Sequence, residues 1–328
     1  MKTTPRVSIC VPVYNGATWL RECLDSALAQ TADDFDVVVV DDCSQDGSLG
    51  IAQELAARDS RVTVQSNPVR LGLARNWNRC LELAHGEWIK FVFQDDLLHP
   101  ECLARMTRAS DAGMPFIVCD RRLDFHPDCP EGIRRYFAEL SSLEDLLDGN
   151  DTLSATGVSR ILCEHLGLNV FGEPTSVLLH RDVFATYGPF NERMIQLCDL
   201  EFWARVGSNT GLVYIPDELV TFRIHEASAT AANSSAQLFQ KDVLDVLVLF
   251  HEFAFSSAFA RLREVAGQCD PTVSFSALAA RALERSVHDA RNSDDPHSQR
   301  ALDRVVAAHP RLGRRLWRIW HRMRKQFK

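Results

Sequence analysis

Four consecutive valines, Val37 to Val40, lie inside the apolar run Phe35 to Val40. An unbroken β-branched run of this kind predicts a strand buried on both faces, within a sheet that helices cover on each side. The flanking sequence has the matching pattern. Val7 to Val13 is a second apolar, strand-like run, and Leu20, Cys23, Leu24, Ala27 and Leu28 repeat at helical spacing between the two. Ser48 to Arg58 predicts a helix with Ile51 and Leu55 inward, and Arg61 to Gln65 a short third strand. Leu73, Trp77, Cys80, Leu81 and Ala84 form another helical stripe, with Gly86 expected as its C-cap, before a fourth strand over Trp88 to Phe93. Strand and helix in strict alternation predict a parallel sheet with helices on its faces.

In such sheets ligands bind beyond the carboxyl ends of the strands. Here those ends are Pro12-Val13-Tyr14-Asn15, Asp41-Asp42-Cys43-Ser44 and Gln94-Asp95-Asp96. One aromatic ring and four carboxylates therefore converge on one edge. Carboxylates so placed repel unless a cation or a donor-rich group intervenes, and a hard divalent cation such as Mg²⁺ or Mn²⁺ prefers their oxygens and bridges to phosphates. The plainer role for one Asp-Asp pair is to cap a turn or helix. Two pairs at equivalent strand ends favour a site. Neither GxGxxG after the first strand nor GxxxxGK[ST] occurs, which disfavours Rossmann dinucleotide binding and P-loop hydrolysis.

Taken in order, Val7-Ser8-Ile9-Cys10-Val11-Pro12-Val13-Tyr14-Asn15-Gly16, Val39-Val40-Asp41-Asp42-Cys43-Ser44-Gln45-Asp46-Gly47-Ser48, Leu71-Gly72-Leu73-Ala74-Arg75-Asn76 and Phe93-Gln94-Asp95-Asp96 resemble glycosyltransferase family 2 over roughly residues 5–230. The resemblance implies an α/β GT-A fold, a Rossmann-like mainly parallel sheet flanked by helices. It also implies a nucleoside-diphosphate-sugar donor, Mn²⁺ or Mg²⁺, and inversion at the anomeric carbon. By resemblance, Pro12 and Tyr14 line the base pocket, Asp42 bonds the base, Arg75 is a candidate for the diphosphate, Asp95 contacts the ribose and Asp96 holds the metal. The motif reads Gln-Asp-Asp, so the first acid of a strict DXD is missing. Cys198-Asp199-Leu200-Glu201-Phe202-Trp203 resembles the family's ED-type helix start and places Asp199 at the catalytic base, with Glu201 as fallback base or acceptor contact. Thr221-Phe222-Arg223-Ile224-His225 resembles the segment that makes His225 a second metal or diphosphate ligand, and Glu173 in Gly172-Glu173-Pro174-Thr175-Ser176 is expected on a loop over sugar or acceptor.

These motifs divide the 328-residue chain into a catalytic domain over 1–230 and a helical region over 231–328. Within the first, 1–96 is the nucleotide half and 97–230 the acceptor half. The net charge of −8 hides an asymmetry, because His309 to Lys328 carries 8 basic residues and no acid. An acidic body does not suit general nucleic-acid binding. The tail, with Leu312, Leu316, Trp320, Met323 and Phe327 on one helical face, suits an anionic membrane surface or this protein's own acidic body. A lipid-linked or glycan acceptor would give membrane anchoring a purpose. Ten scattered cysteines without a CxxC pair, a polar Met1 to Pro5 and no apolar run of about 18 residues set the expectation of a cytoplasmic protein, peripheral at most. Two rivals remain: a sugar-nucleotide pyrophosphorylase, disfavoured because Tyr14-Asn15-Gly16-Ala17 stands where a Gly-rich basic loop is needed, and a non-catalytic sugar-nucleotide or membrane-binding module.

Overall fold

The computed structural model describes residues 4–140, 142–228, 239–270, 272–293 and 296–314. The described strands are β1 Val7–Val13, β2 Phe35–Asp41, β3 Val62–Ser66, β4 Trp88–Phe91, β5 Leu97–Leu98, β6 Phe116–Phe125, β7 Thr152–Leu153, β8 Val177–His180 and β9 Leu212–Ile224. They form one sheet in the order β3-β2-β1-β4-β8-β6-β9-β5, with β7 also on β9. The first four strands pair in parallel, as their alternation with α1 (Leu20–Leu28), α2 (Ser48–Arg58) and α3 (Leu73–Leu83) predicts. Beyond β4 the sheet is mixed: β8 runs antiparallel to both β4 and β6, and β6 is parallel to β9.

The valine run explains the layering. All four side chains are buried, and they alternate between two cores on opposite faces of the sheet. Val37 and Val39 pack with α1 and α2, and with α4 (Cys102–Ala109). Val38 and Val40 join the larger core, which takes in Trp77 of α3 and two later helices, α7 (Ala155–Glu164) and α9 (Cys198–Thr210). Between α4 and α9 lie α5 (Glu131–Glu139), α6 (Leu143–Leu146) and α8 (Asp182–Tyr187).

Pro12 sits in the middle strand without cost. Its neighbours show that odd residues of β1 bond β2 and even ones face β4, which ends at the Cys10–Phe91 pair. The missing N–H of Pro12 therefore falls beyond the last β4 partner.

The C-terminal helices α10 (Asp245–Phe255), α11 (Ala260–Cys269), α12 (Phe275–Asn292) and α13 (Pro296–Ala308) bury Leu247, Phe253, Leu262 and Leu283 in the same core as α7 and α9. The region thus shares a core with the sheet. Among the described residues no single helix is long and apolar enough to cross a membrane. Leu312 is buried, whereas Leu316, Trp320, Met323 and Phe327 of the expected amphipathic face lie outside the described residues. All ten cysteines are free thiols.

One expectation is corrected. Gly86 is not the C-cap of α3, a position Ala84 occupies in an extended conformation. Gly86 is needed because the chain crosses β1 there: its N–H donates to Ser8 Oγ, and a Cβ would lie 2.3 Å from the Ser8 backbone nitrogen. Gly86→Ala is expected to destabilise the fold by about 3 kcal/mol through overpacking against backbone, read as a lower urea midpoint with an unchanged slope.

Candidate active site

The loops after β1 and β2 are stitched together. Asn15 N–H donates to Ser44 Oγ (3.0 Å), Gly16 N–H to Ser48 Oγ (2.8 Å) and Ala17 N–H to Asp46 Oδ2 (3.0 Å). Gln45 N–H returns a bond to Asn15 Oδ1 (2.8 Å). Asn15 and Cys43 both adopt positive φ (49° and 63°), a strain that this lattice of bonds holds in place. Gln94 stands at the position next to the two aspartates and clamps Tyr14 by both main-chain groups, accepting from its N–H (2.8 Å) and donating to its carbonyl (3.1 Å). Tyr14 is partly exposed, and the Arg70 guanidinium lies 3.9 Å from its ring centroid.

The four carboxylates at the sheet edge are not equivalent. Asp41 accepts from Ser44 N–H and Ser66 Oγ, the capping role that either pair alone would suggest. Asp42 is buried and accepts from Leu71 N–H (2.7 Å), Gly72 N–H (2.8 Å) and Asn67 Nδ2 (2.9 Å), fixing the loop that carries Arg70 into α3. Asp96 is fully buried: Thr175 Oγ1 donates to Oδ2 and Arg223 N–H to Oδ1. Burial first, and then the neighbouring charge of Asp95, pushes its carboxyl well above the usual range. Asp95 is the less buried of the two. Its Oδ2 lies 3.1 Å from His225 Nε2, and Trp19 packs over the His225 ring with centroids 5.4 Å apart. Arg223 spans Trp19 and Glu22 nearby.

The Asp95–His225 pair has the right chemistry for a divalent cation. One carboxylate oxygen and one imidazole nitrogen suit Mn²⁺, and 3.1 Å is the spacing of adjacent ligands around an octahedral cation with bonds of about 2.1–2.2 Å. The sequence resemblance assigned the metal to Asp96 and the ribose to Asp95. The geometry puts Asp95 beside His225 (3.1 Å) and gives Asp96 two protein donors, Thr175 and Arg223 N–H.

The segment 169–176 joins this end of the cleft to Asp199. Thr175 holds Asp96, and its carbonyl accepts from the fully buried Lys90 ammonium. Gly172, at φ 91°, accepts at its carbonyl from Trp203 Nε1 (3.0 Å) and Asn169 Nδ2 (3.0 Å). Asn169 Nδ2 also donates to Asp199 Oδ2 (3.0 Å). Glu173 pairs with Arg121 at 2.7 Å. Asp199 opens α9, where Leu200 N–H donates to its Oδ1 (2.7 Å). Burial, with Glu173 adding repulsion, pushes the Asp199 carboxyl up to about 7. The phenol of Tyr136 on α5 is raised by partial burial first and then by the charges of Glu173 and Asp199.

Two predicted residues are placed elsewhere. Glu201 is buried in an ion pair with Arg205 (2.7 Å) on another face of α9. Arg75 pairs with Glu192 at 3.2 Å. Both line a separate cleft of about 810 Å³. A helix periodicity of 3.6 accounts for Glu201, since positions two apart do not share a face.

Sequence reasoning missed Asp245. It is fully buried at the start of α10, and its Oδ2 accepts from Ile195, Gln196 and Leu197 N–H at 2.7–3.0 Å. Those three amides immediately precede Cys198-Asp199. No local motif marks this role, because the partner lies about 50 residues away in sequence. Asp245→Ala removes the shared acceptor of three part-buried N–H groups, so it is expected to cost roughly 1–3 kcal/mol of stability in a denaturant melt and to lower turnover with donor affinity unchanged.

A sheet with a parallel first half and a mixed second half, flanked by helices and carrying carboxylates at its strand ends, is that of a GT-A glycosyltransferase scaffold. The chain belongs to glycosyltransferase family 2, whose family model, Glycosyl transferase family 2, matches residues 8–186. An uncharacterized protein of Mycobacterium tuberculosis is 33% identical over 74% of this chain and 73% of its own length. Several further curated relatives are matched over only 10–55% of their length. Among solved structures, Staphylococcus aureus TarS 1–349 in complex with UDP-GlcNAc superposes with TM-score 0.60 at 19% identity, over 85% of this chain and 79% of that one. The mannosyltransferase PcManGT from Pyrobaculum calidifontis, in complex with GDP-Man and Mn²⁺, gives TM-score 0.58 at 17% identity, over 98% and 84%. At these identities the structural likeness concerns the fold.

Proposed function

We propose that this glycosyltransferase moves a sugar from a nucleoside-diphosphate donor to an acceptor hydroxyl, with a divalent cation at Asp95 and His225 and with inversion at the anomeric carbon. The observation that carries the reading is the segment 169–176, which bonds Asp199 through Asn169 and bonds Asp96, the neighbour of Asp95, through Thr175; burial there pushes the Asp199 carboxyl up to about 7. The bound UDP-GlcNAc and GDP-Man of the two structural neighbours support the donor class.

The residues divide the work. Tyr14, with Arg70 against one face of its ring, stacks on the base with the other, and Pro12 shapes the strand end beneath it. Asp42 secures the Arg70 loop and keeps acceptor capacity on Oδ2 for a base N–H. A bound cation supplies charge compensation for the departing nucleoside diphosphate. Asp199 takes the acceptor proton, and the freed oxygen attacks the face of the sugar opposite the leaving group. A base near 7 matches neutral operating conditions, since it is deprotonated and still basic enough to accept. Glu173 and the exposed Tyr136 stand on the acceptor side, where a carboxylate and an aromatic face suit sugar hydroxyls and ring faces. The basic residues of 309–328 suit an acceptor presented at an anionic membrane surface on the cytoplasmic side, such as a lipid-linked glycan or nascent surface polysaccharide.

The test is turnover. Nucleoside-diphosphate release is measured with UDP-, GDP-, dTDP- and CDP-sugars, with Mn²⁺ or Mg²⁺, with and without lipid-linked and free glycan acceptors. One donor class turned over faster with acceptor is the expected result. Donor binding without turnover against any acceptor would instead favour a binding module.

A further inference from the structure

Three side chains far from the donor cleft in sequence and role form a second metal-type cluster. His251 and Glu252 lie on α10, and His309 follows α13. One donor atom from each lies within 4.8 Å of the others, the sole such group of three among the described residues. Glu252 Oε1 is 3.1 Å from His251 Nδ1 and 3.4 Å from His309 Nε2.

We propose that His251, Glu252 and His309 form a structural Zn²⁺ site that fastens the C-terminal segment to α10.

The distances fit. Zn–N and Zn–O bonds of about 2.0–2.2 Å in a tetrahedron set ligand atoms roughly 3.4 Å apart, close to both measured edges. The orientation of His309 fits as well. Its Nδ1 donates to the Val305 carbonyl (2.7 Å), which leaves Nε2, facing Glu252, as the atom a cation would take. A ligating histidine typically gives its other N–H to a backbone carbonyl in this way. Both imidazoles are buried, with ring centroids 4.4 Å apart, and His251 Nε2 has no partner. Glu252 also lines the cleft of about 810 Å³. Two imidazoles and one carboxylate favour Zn²⁺ over the oxygen-preferring Mg²⁺.

The site would act at a distance from the chemistry. α10 carries Asp245, which holds the three amides before Asp199, and His309 leads into the basic tail. Zinc would therefore brace the helix that positions the base and fix where the tail leaves the body.

The test uses the full chain, stripped with chelator and titrated with Zn²⁺ alone. Wild type is expected to bind one tight equivalent, to melt several degrees higher with it, and to show imidazole and oxygen neighbours by X-ray absorption. Asp95→Ala, which disables the donor-cleft cation, keeps that equivalent. Glu252→Gln and His309→Ala weaken it roughly 100-fold or more and lose the melting shift. The absorption spectrum of wild type covers the case in which a variant fails to fold. Failure of wild type to bind, loss of the equivalent in Asp95→Ala, or a spectrum without imidazole would overturn the proposal, leaving the cluster a protonated His–Glu–His network.

Discussion

Asp199→Asn is expected to lower kcat by roughly 10³-fold while leaving donor affinity within error of wild type. The asparagine keeps the bonding geometry with Asn169 and Leu200 but cannot accept the acceptor's proton, and general-base catalysis contributes about 10²–10⁴-fold. Wild-type kcat should rise about tenfold per pH unit below about 7 and level off above it, as the carboxyl ionises. The same group makes a stability prediction of defined sign. Its native carboxyl holds a proton that the unfolded chain has already released between pH of about 4 and 7. Stability therefore falls as pH rises through that window. Asp199→Asn, which never ionises, should melt at a higher temperature than wild type at pH 8 and show no such gain at pH 4. An inactive variant with no gain at pH 8 would mean that Asp199 is not held up by burial. A variant with near-normal kcat would remove it from the chemistry.

The second large effect separates the two adjacent aspartates. Asp95→Asn should weaken Mn²⁺-dependent nucleotide binding roughly 100-fold or more, and His225→Ala should do so to a comparable degree, because each withdraws one donor of the pair. Asp96→Asn should leave that affinity near the wild-type value. Both its oxygens are already engaged by protein donors, and an asparagine oxygen can still accept from Arg223 N–H while its amide group meets the Thr175 hydroxyl. Calorimetry with and without Mn²⁺ reads all three. If Asp96→Asn matched Asp95→Asn, the cation would sit between the two carboxylates and the role assigned to Thr175 would fail.

What sequence could reveal follows from the range of the interactions. The valine run, the helical stripes and the strand ends are local patterns, and they placed β1 to β4, α1 to α3 and the loops after β1, β2 and β4. The position of Asp199 in the first turn of α9 was legible through its motif. The distinction between Asp95 and Asp96 was not, because it rests on Thr175 and Arg223, 79 and 127 residues away. Glu201 looked like an alternative base only while its Arg205 partner was invisible. Asp245, Lys90 and Gln94 act through backbone groups of distant segments, and no spacing rule marks such contacts. Gly86 followed a common C-cap pattern, yet its reason is the crossing with Ser8. The His251–Glu252–His309 cluster joins adjacent residues on one helix to a third more than 50 residues on, with no ligand spacing to read.

The most direct measurement of the central claim is calorimetric titration of the full chain with UDP, GDP, dTDP and CDP, each with and without Mn²⁺, on wild type and Asp95→Ala. The predicted result is tight binding of one nucleotide class that requires Mn²⁺ and is lost in Asp95→Ala. Binding of none of the four under either condition would contradict the donor site described here.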